Sequence, residues 1–508
     1  MSKKVKAFAA DLIHAGNRGL TIDHEAIAAQ VENLLAGMSP AQLRHEIRGW
    51  QPAPIEGLYY AGGDADAGIP SYAMVDGPRG ARVGKATAFP VAIARAASFD
   101  VALERRVGIA IGLEVAANGG NVLLAPTMNL LRHPGWGRAQ ETYSEDSHHT
   151  GAMAVAFVSG AQNHVLASPK HFAANNLENT RFEMSANADM RSLHEVYLAH
   201  FKRVVQESAA ASIMSSYNKI NGVYCSEDPQ LLTGILRERW GFKGFVESDW
   251  FLGTRSTAQA LKAGLDIEMP SGYRRSDEKL DEALAAGEIT EADIRAAAAR
   301  ALHQKLAWDL NTLPKPEAAV VECDAHLTLA REAAEKSLVL LKNAGAVLPF
   351  EDRSGLRIAV VGDLADQVNL GDRGSSLVTP SAAITPLAGI QQRASSAEIH
   401  YFSSDADLGG LADFDVCVVV TGLTYKEEGE FIPTAQIESE DSQLARGGDR
   451  TDLKLPQAVL ELLERVSAVS RRTVVVLEGG SAIEVEGWLE AVDGLVMAWY
   501  PGAQGGHA

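Results

Sequence analysis

The first 310 residues alternate short apolar runs with longer segments whose apolar residues recur at helical spacing. Apolar runs ended by glycine, proline or polar turn residues predict buried strands, and the segments between them predict helices. Strands that alternate with helices pair in parallel, and about six to eight such units predict a TIM-type (β/α)8-like barrel. The predicted strands are SYAMVDGP (71–78), NVLLAPTMN (121–129), VLASPKHFA (165–173), ASIMSSYN (211–218), GFVESDW (244–250) and GLDIEMP (264–270).

A second alternating set follows a short segment with two prolines, NTLPKPEAA. Its apolar runs are nearly continuous and rich in valine, which is typical of strands buried on both faces of a parallel sheet. These runs are LRIAVVGDLA (356–365), FDVCVVVTGL (414–423), RTVVVLEGG (472–480) and DGLVMAWYPG (493–502). The chain is therefore predicted to form a barrel over 1–310, a linker over 311–325 and an α/β layered sandwich domain over 326–508.

Composition narrows the classes of partner. The chain has 508 residues, 46% of them hydrophobic, and a formal net charge of −19. This charge argues against nucleic acid and anionic membrane as partners, since both require a basic surface. The three cysteines are too widely spaced for a disulfide framework or a zinc site, and no P-loop or G-x-G-x-x-G is present. We expect no metal and no cofactor.

Location can also be predicted from the apolar runs. The N-terminus starts with basic residues, but no sustained apolar run follows, so it does not resemble a secretory signal. No run approaches the length of a membrane span. These features predict a cytoplasmic protein.

Polar side chains stand where the predicted barrel strands end. They are Asp76, Lys170, His171, Tyr217 and Asp249. The carboxyl ends of parallel barrel strands converge on one rim, so these side chains are expected to lie close together. Lys and His donate hydrogen bonds that suit sugar hydroxyls, and an ionised Asp can accept from two neighbouring hydroxyls.

The stretch KGFVESDWFLG combines features that a surface loop or a core would not combine. A buried strand ends in Glu247, Ser248, Asp249 and Trp250. An indole face packs well on the apolar face of a pyranose, and a neighbouring carboxylate can bind or attack the sugar. This pattern indicates a sugar pocket. Arg138, in the glycine-flanked loop GWGRAQETYSED, is a weaker candidate because loop arginines are mostly on the surface.

Several motifs, taken in order, resemble glycoside hydrolase family 3, the β-glucosidase-like family. They are VDGPRGAR, GRAQETYSED, KHFAANNLENTR, IMSSYNKINGVYCSED, GFVESDW, NLGDRGSS, EEGEFI, GGDRTDLKLP and YPGAQGG. The resemblance implies that Asp249 is the catalytic nucleophile and Trp250 a sugar-stacking wall. It also implies that Asp76, Arg138, Lys170, His171 and Tyr217 line the site of the non-reducing sugar, with Met214 as an apolar neighbour and with Arg181 and Glu141 behind them.

The resemblance places the acid/base in the second domain, upstream of the GDR motif. The acidic residues of TYKEEGEFIPTAQIESEDSQLARGGDR include Glu427, Glu428 and Glu430 within one turn of the loop, and Glu438 and Glu440 further on. We predict Glu428 because it precedes Gly429, which allows the backbone to fold tightly toward the barrel. Glu430 is the alternative if the loop is shifted by two residues.

These features predict a retaining, exo-acting β-glucosidase that takes a β-linked oligosaccharide or an aryl or alkyl glucoside. A β-xylosidase, a glycoside phosphorylase and a non-catalytic sugar-binding protein are alternatives. The absence of a KHFPGHG stretch disfavours an N-acetylglucosaminidase. The family resemblance also implies that the sandwich domain is incomplete at its C-terminus. An open apolar edge along DGLVMAWYPG would then favour a homo-oligomer or a companion C-terminal segment.

Overall fold

The computed structural model describes residues 18–51, 57–433 and 447–508. The strands of its first domain are, in chain order, β1 (Gly49–Trp50), β2 (Tyr59–Ala61), β3 (Tyr72–Asp76), β4 (Val122–Leu124), β5 (Leu166–Ala167), β6 (Ser185–Ala186), β7 (Ser212–Met214), β8 (Lys219–Ile220), β9 (Val223–Tyr224) and β10 (Phe245–Glu247). Three of these, β6, β8 and β9, form a small separate sheet. The others belong to the barrel.

The barrel is closed by a mixture of regular pairing and single bridges. One sheet runs from β1 to β5, and β7 pairs with β10 in parallel. A parallel bridge from Phe172 to Ser215 joins the two sheets. Parallel bridges from Glu247 to Ile267 and from Glu268 to Arg48 complete the ring. The predicted barrel-like domain is confirmed, although the segment predicted as a strand at 264–270 takes part only through these bridges.

Strand β2 is antiparallel to both of its neighbours, β1 and β3. Its connection to β1 covers residues 51–58, which is too short for the crossover helix that a parallel partner requires. The remaining pairs β3–β4 and β4–β5 are parallel, as the alternating pattern predicts.

The helices around the barrel are held by tight packing of small residues. Helices α4 (Val101–Ala117) and α5 (Ser147–Ala161) approach closely because Gly108 faces the backbone of Phe157, and Gly160 faces the backbone of Arg105. A Cβ atom at either glycine would overlap with the opposing carbonyl group. The described helices of the barrel domain are α1 (His24–Gly37), α2 (Pro40–Glu46), α3 (Ala92–Ala97), α4, α5, α6 (Ala199–Ser208), α7 (Ala258–Ala263), α8 (Asp277–Ala285) and α9 (Glu291–Ala307). A single helical turn lies at Met190–Ser192, and π-helices lie at Leu193–Tyr197 and Gln230–Arg239.

The second domain is an α/β sandwich built on a six-stranded sheet. Its strands are β11 (Val339–Asn343), β12 (Arg357–Val361), β13 (Glu398–Phe402), β14 (Val416–Gly422), β15 (Thr473–Glu478) and β16 (Gly494–Met497), and its helices include α11 (Pro386–Arg393) and α12 (Gln457–Val469). The strand order is β11-β16-β15-β14-β12-β13, with β11 antiparallel to β16. Two apolar clusters cover the sheet, one on each face. The predicted layered architecture is confirmed.

The segment between the two domains packs on the barrel. Helix α10 (Asp324–Ser337) contributes Leu329, Ala330 and Ala333 to the same apolar cluster as the barrel helices. The predicted limits of the linker, 311 and 325, stay a prediction. No helix within the three described ranges combines the length and the apolar character needed to cross a bilayer.

The structure corrects the prediction that DGLVMAWYPG forms an open edge. Strand β16 is paired on both sides, by β11 and by β15. The edge strands are β11 and β13 instead. On β11, Leu340 and Leu341 are 54% and 55% exposed, so apolar surface is present at an edge that the sequence pattern did not identify.

Candidate active site

A cavity of about 180 Å³ lies at the carboxyl ends of the barrel strands, where loops of the second domain close over it. This is below the roughly 300–1,000 Å³ of typical small-molecule sites, which favours one monosaccharide unit inside it. The structure brings eight sequence-predicted residues to its wall: Asp76, Arg138, Lys170, His171, Met214, Tyr217, Asp249 and Trp250. Glu430, the alternative acid/base, also lines the cavity, and so does Arg181, which was expected behind the site. The sequence pattern did not indicate the lining residues Tyr59, Arg82, Phe182, Phe251, Leu252, Ser375 and Ile432.

Asp249 follows β10 in a tight turn. A Cβ atom at Gly253 would overlap with the backbone of Asp249, so this turn requires glycine. The Asp249 side chain is buried, and its Oδ2 atom has no hydrogen-bond partner among the described residues. Burial raises the pKa of Asp249 to about 6, although the positive charges of Arg181 and Arg138 oppose this shift. One carboxylate oxygen is therefore available to a ligand.

Lys170 forms the parallel bridge to Thr127 that extends β5, and a cis peptide bond joins it to His171. The Lys170 ammonium donates to Asp76 Oδ1 at 2.9 Å. This buried ion pair places a donor and an acceptor side by side in the wall of the cavity, which suits neighbouring sugar hydroxyls.

The protonation of His171 follows from its contacts with Asn129. The amide oxygen of Asn129 accepts from the His171 backbone N–H at 2.9 Å, so the imidazole Nδ1 at 3.0 Å from the same oxygen must carry a proton. Burial, together with the charge of Arg138, lowers the pKa of His171 well below its usual range. Its Nε2 atom is then an acceptor, 3.1 Å from the Arg138 guanidinium and 3.6 Å from Asp249 Oδ2.

Arg138 is fixed by the Glu141 carboxylate and the Ser375 hydroxyl. Its guanidinium donates to both oxygens of Glu141, at 3.1 and 2.6 Å, and to Ser375 Oγ at 3.1 Å. Glu141 does not line the cavity and supports Arg138 from behind. Buried guanidinium groups held in this bidentate manner keep a fixed orientation, so Arg138 presents its charge to the cavity rather than to solvent.

The aromatic residues form one side of the cavity. Tyr217 donates to the backbone carbonyl of Trp250 at 3.0 Å. The Trp250 ring meets Tyr59 edge to face, with the ring centroids 5.0 Å apart. Met214 is fully buried between strand and cavity. Trp250 is therefore held against the opening by Tyr59 and Tyr217, which leaves its indole positioned for stacking on a sugar.

Glu428 does not reach this cavity. Its Oε1 atom accepts from the backbone N–H of Gly480 at 2.6 Å and from the Tyr500 hydroxyl at 2.7 Å, and its Oε2 atom accepts from the Ser481 hydroxyl. Burial raises its pKa. All three partners belong to the second domain, and this placement does not agree with the prediction that Glu428 meets the scissile bond. Glu438 and Glu440 lie outside the described residues.

Glu430, two residues further on, lines the cavity instead. Its Oε1 atom accepts from Arg181 at 2.9 Å, and its Oε2 atom accepts from the backbone N–H of Ser375 at 2.6 Å. Burial opposes ionisation of Glu430, but the guanidinium groups of Arg138 and Arg181 outweigh it and hold the pKa well below its usual range. The EEGEFI motif already indicated this residue, because Glu430 was the alternative candidate for the acid/base in that loop.

The loops around Glu430 are attached to the barrel by Asp449. Its carboxylate accepts from the backbone N–H groups of Gly137, Glu178 and Asn179 at 2.9–3.0 Å. The neighbouring Gly448 N–H donates to the Gly429 carbonyl at 2.8 Å. The Asp449 carboxylate therefore connects the strand-end loops of the barrel to the segment that carries Glu430.

Three carboxylates, Glu141, Asp372 and Glu430, offer oxygens within 4.8 Å of one another. Asp372 shapes the loop around Glu430, since it accepts from the Glu430 and Gly374 N–H groups. Arg138 and Arg181 already bind Glu141 and Glu430. A cation here would have to compete with both guanidinium groups, so their charges explain the cluster without a metal.

Two family descriptions match the chain. Residues 58–303 match "Glycosyl hydrolase family 3 N terminal domain", and residues 338–508 match "Glycosyl hydrolase family 3 C-terminal domain". The thermostable beta-glucosidase B of Acetivibrio thermocellus is 35% identical over 487 residues, which cover 90% of this chain and 60% of that protein. An exo-alpha-(1->6)-L-arabinopyranosidase of Bifidobacterium longum is 33% identical over 494 residues, which cover 88% of this chain and 62% of that protein.

A solved structure shares the fold over nearly the whole chain. The beta-glucosidase 3B of Thermotoga neapolitana, in complex with alpha-D-glucose, has a TM-score of 0.83 and 29% identity, covering 94% of this chain and 73% of that one. The chain spans about three fifths of the length of the two curated relatives above.

Proposed function

The chain belongs to glycosyl hydrolase family 3, and from this premise we propose that it is an exo-acting, retaining β-glucosidase. The observation that carries the proposal is the buried Asp249 oxygen, which has no hydrogen-bond partner within the described ranges, in a cavity with room for one sugar. An enclosed single-sugar site accepts a chain end and excludes the middle of a polysaccharide. The relatives named above that act on glucosides support glucose as the sugar.

In the first step, Asp249 Oδ2 forms a bond to the anomeric carbon while the bond from that carbon to the glycosidic oxygen breaks. The leaving oxygen takes a proton from a general acid. In the second step the same group, now a base, removes a proton from water. The water oxygen then bonds to the anomeric carbon, and Asp249 is released. The sugar and an alcohol are the products, and anomeric configuration is retained.

We propose Glu430 as this acid/base. It lines the same cavity as Asp249, and its charge raises the pKa of Asp249, so the two carboxyl groups interact across the site. The ion pair with Arg181 favours the ionised form of Glu430, which is the form that acts as the base. To act as the acid, Glu430 must first take up a proton, which removes its negative charge and weakens its ion pair with Arg181.

The experiment compares Glu427→Ala, Glu428→Ala and Glu430→Ala. A general acid matters most for a poor leaving group. Glu430→Ala should lower kcat/KM for cellobiose by about 100-fold or more, but that for dinitrophenyl β-glucoside far less. Azide should restore turnover of this variant and yield a β-glucosyl azide.

The other two variants should show neither effect. Azide rescue of Glu428→Ala would return the acid/base role to that residue and contradict the assignment of Glu430. Labelling by a 2-fluoro-glucoside should occur on Asp249, and its absence from Asp249 would contradict the retaining mechanism.

The sugar itself is tested with nitrophenyl glycosides. The Asp76 carboxylate next to Lys170 can accept from O4 and O6 of glucose, whereas xylose lacks O6. The identity to an arabinopyranosidase makes an α-L-arabinopyranoside the second candidate substrate. We expect the highest kcat/KM for the β-D-glucoside, and hydrolysis that requires no phosphate. A higher value for the β-D-xyloside or the α-L-arabinopyranoside, or dependence on phosphate, would replace the glucosidase proposal.

A further inference from the structure

The mouth of the cavity is lined by large apolar side chains that are open to solvent. Phe251 and Leu252, directly after Trp250, are 45% and 43% exposed and line the cavity. Tyr273, which is 58% exposed, extends the patch outward, with its ring centroid 6.3 Å from that of Phe251. Phe251, Leu252 and Tyr273 are called the apolar lip below.

The backbone holds the apolar lip in an unusual conformation. Trp250 and Phe251 have φ values of 34° and 55°, which bulky residues rarely adopt. The conformation is fixed by a hydrogen bond from the Phe251 N–H to the Met269 carbonyl at 3.1 Å and by the Tyr217 hydroxyl on the Trp250 carbonyl. A strained backbone that turns apolar side chains outward at a site indicates a functional constraint, since burying them would lower the free energy.

Other apolar side chains also line the cavity. Ile432 and Pro433 from the second domain line the cavity together with Phe182 from the barrel. The charged residues of the cavity, by contrast, lie in its depth and are almost fully buried, such as Arg138 and Lys170. Polarity therefore changes along the site, from charged at the bottom to apolar at the mouth.

We infer that the apolar lip is the subsite for the leaving group and that it selects an apolar aglycone, an alkyl or aryl group, over a second sugar. The inference rests on the proposed function, because it takes the buried end as the site of the sugar. The cavity has room for one sugar, so the aglycone of a bound glycoside is expected to leave it past Phe251 and Leu252, which line it and are open to solvent. A glucosyl unit could pack its apolar face on the Phe251 ring, but its hydroxyls would find no hydrogen-bonding side chain on Phe251 or Leu252. An alkyl chain would cover both side chains and leave no polar group without a partner.

The test measures binding of β-D-thioglucosides, which are not hydrolysed, so that the result does not depend on turnover. The octyl derivative, below its micellar concentration, should bind about tenfold or more tightly than the methyl derivative, because several methylene groups leave water. In Phe251→Ala/Leu252→Ala this ratio of Kd values should fall by about three- to tenfold. Matched control variants are Phe99→Ala and Leu340→Ala, which remove exposed side chains of the same types elsewhere and should leave the ratio unchanged.

Equal Kd values for the octyl and methyl compounds, or an unchanged ratio in the double variant, would overturn the inference. If the double variant changes the sedimentation coefficient but not the ratio, the apolar lip is an interface between copies of the chain. If the proposed function is wrong, the protein will hydrolyse no glucoside. This result is independent of the ratio of Kd values, so the two failures can be told apart.

Discussion

The Asp249 carboxyl is buried next to Glu430, and burial raises its pKa to about 6. A carboxyl group with a raised pKa in the folded state stabilises that state only while it stays protonated. The contribution is complete below the unfolded pKa of about 4 and is lost as the pH rises through about 6. At neutral pH the folded state is therefore destabilised by the ionised, buried carboxylate of Asp249, the proposed nucleophile.

Replacing Asp249 by Asn should remove this cost. We expect Asp249→Asn to raise the free energy of unfolding by about 1–3 kcal/mol at pH 8, and to change it little at pH 4.5. Urea unfolding at the two pH values measures both. The same variant should lose hydrolysis by several orders of magnitude. Equal effects at both pH values would show that the carboxylate is not destabilised by burial.

The pH dependence of kcat/KM should depend on the leaving group. In the proposed mechanism, hydrolysis of cellobiose requires Asp249 ionised and Glu430 protonated. The pair must therefore keep one proton, which it loses above about pH 6. A dinitrophenyl group departs without a proton, so only ionisation of Asp249 is needed. We expect kcat/KM to fall above about pH 6 for cellobiose and to rise to a plateau there for dinitrophenyl β-glucoside. If kcat/KM depended on pH in the same way for both substrates, the idea that Asp249 and Glu430 share one proton would be wrong.

At the scale of elements, the segments that meet at the site come from both domains, and Asp449 joins them. Its carboxylate accepts from three backbone N–H groups of the barrel, and the adjacent Gly448 pairs with Gly429, next to Glu430. At Gly137, a Cβ atom would overlap with the carbonyl oxygens of Gly429 and Gly448, so this contact requires glycine on the barrel side.

Asp449→Ala should therefore disturb the acid/base more than the sugar site. Its loss leaves three backbone donors without a partner, and we expect about 1–3 kcal/mol lower stability. The kcat/KM for cellobiose should fall about 10–100-fold, and that for dinitrophenyl β-glucoside by clearly less. Asp452→Ala is the matched control, because Asp452 is exposed in the same loop. An equal loss for both substrates would mean that Asp449 has only a structural role.

At the scale of the whole molecule, strand β11 leaves an apolar edge. Leu340 and Leu341 are both more than half exposed, and an edge strand of this kind is a site of association. We expect the 508-residue chain to self-associate at micromolar concentration and Leu340→Lys/Leu341→Lys to reduce this. Sedimentation velocity over a concentration series measures the effect. Val368→Lys, at another exposed apolar residue, is the control, and a monomeric starting protein would contradict the prediction.

The sequence alone determined the buried parallel strands, such as β3, β4, β12, β14 and β15, and the residues at the ends of the barrel strands. It did not predict β2, β11 or β13. The apolar runs predicted the parallel strands because burial on both faces imposes that pattern wherever such a strand lies. Asp76, Lys170, His171 and Asp249 were predicted together for a related reason, since the carboxyl ends of barrel strands always converge. These inferences need only local pattern and a general rule of topology.

The tertiary structure decided what depends on distant contacts. Glu428 and Glu430 flank Gly429, whose φ of 156° breaks any regular alternation, so spacing could not show which side chain turns to the barrel. Tyr500 and Ser481 hold one of them, and Arg181 holds the other, and these partners lie far apart in the sequence. Likewise, DGLVMAWYPG is not an edge because β11, from about 150 residues earlier, pairs with it. These arrangements depend on contacts with residues that are distant in the sequence, and a local sequence pattern contains no information about them.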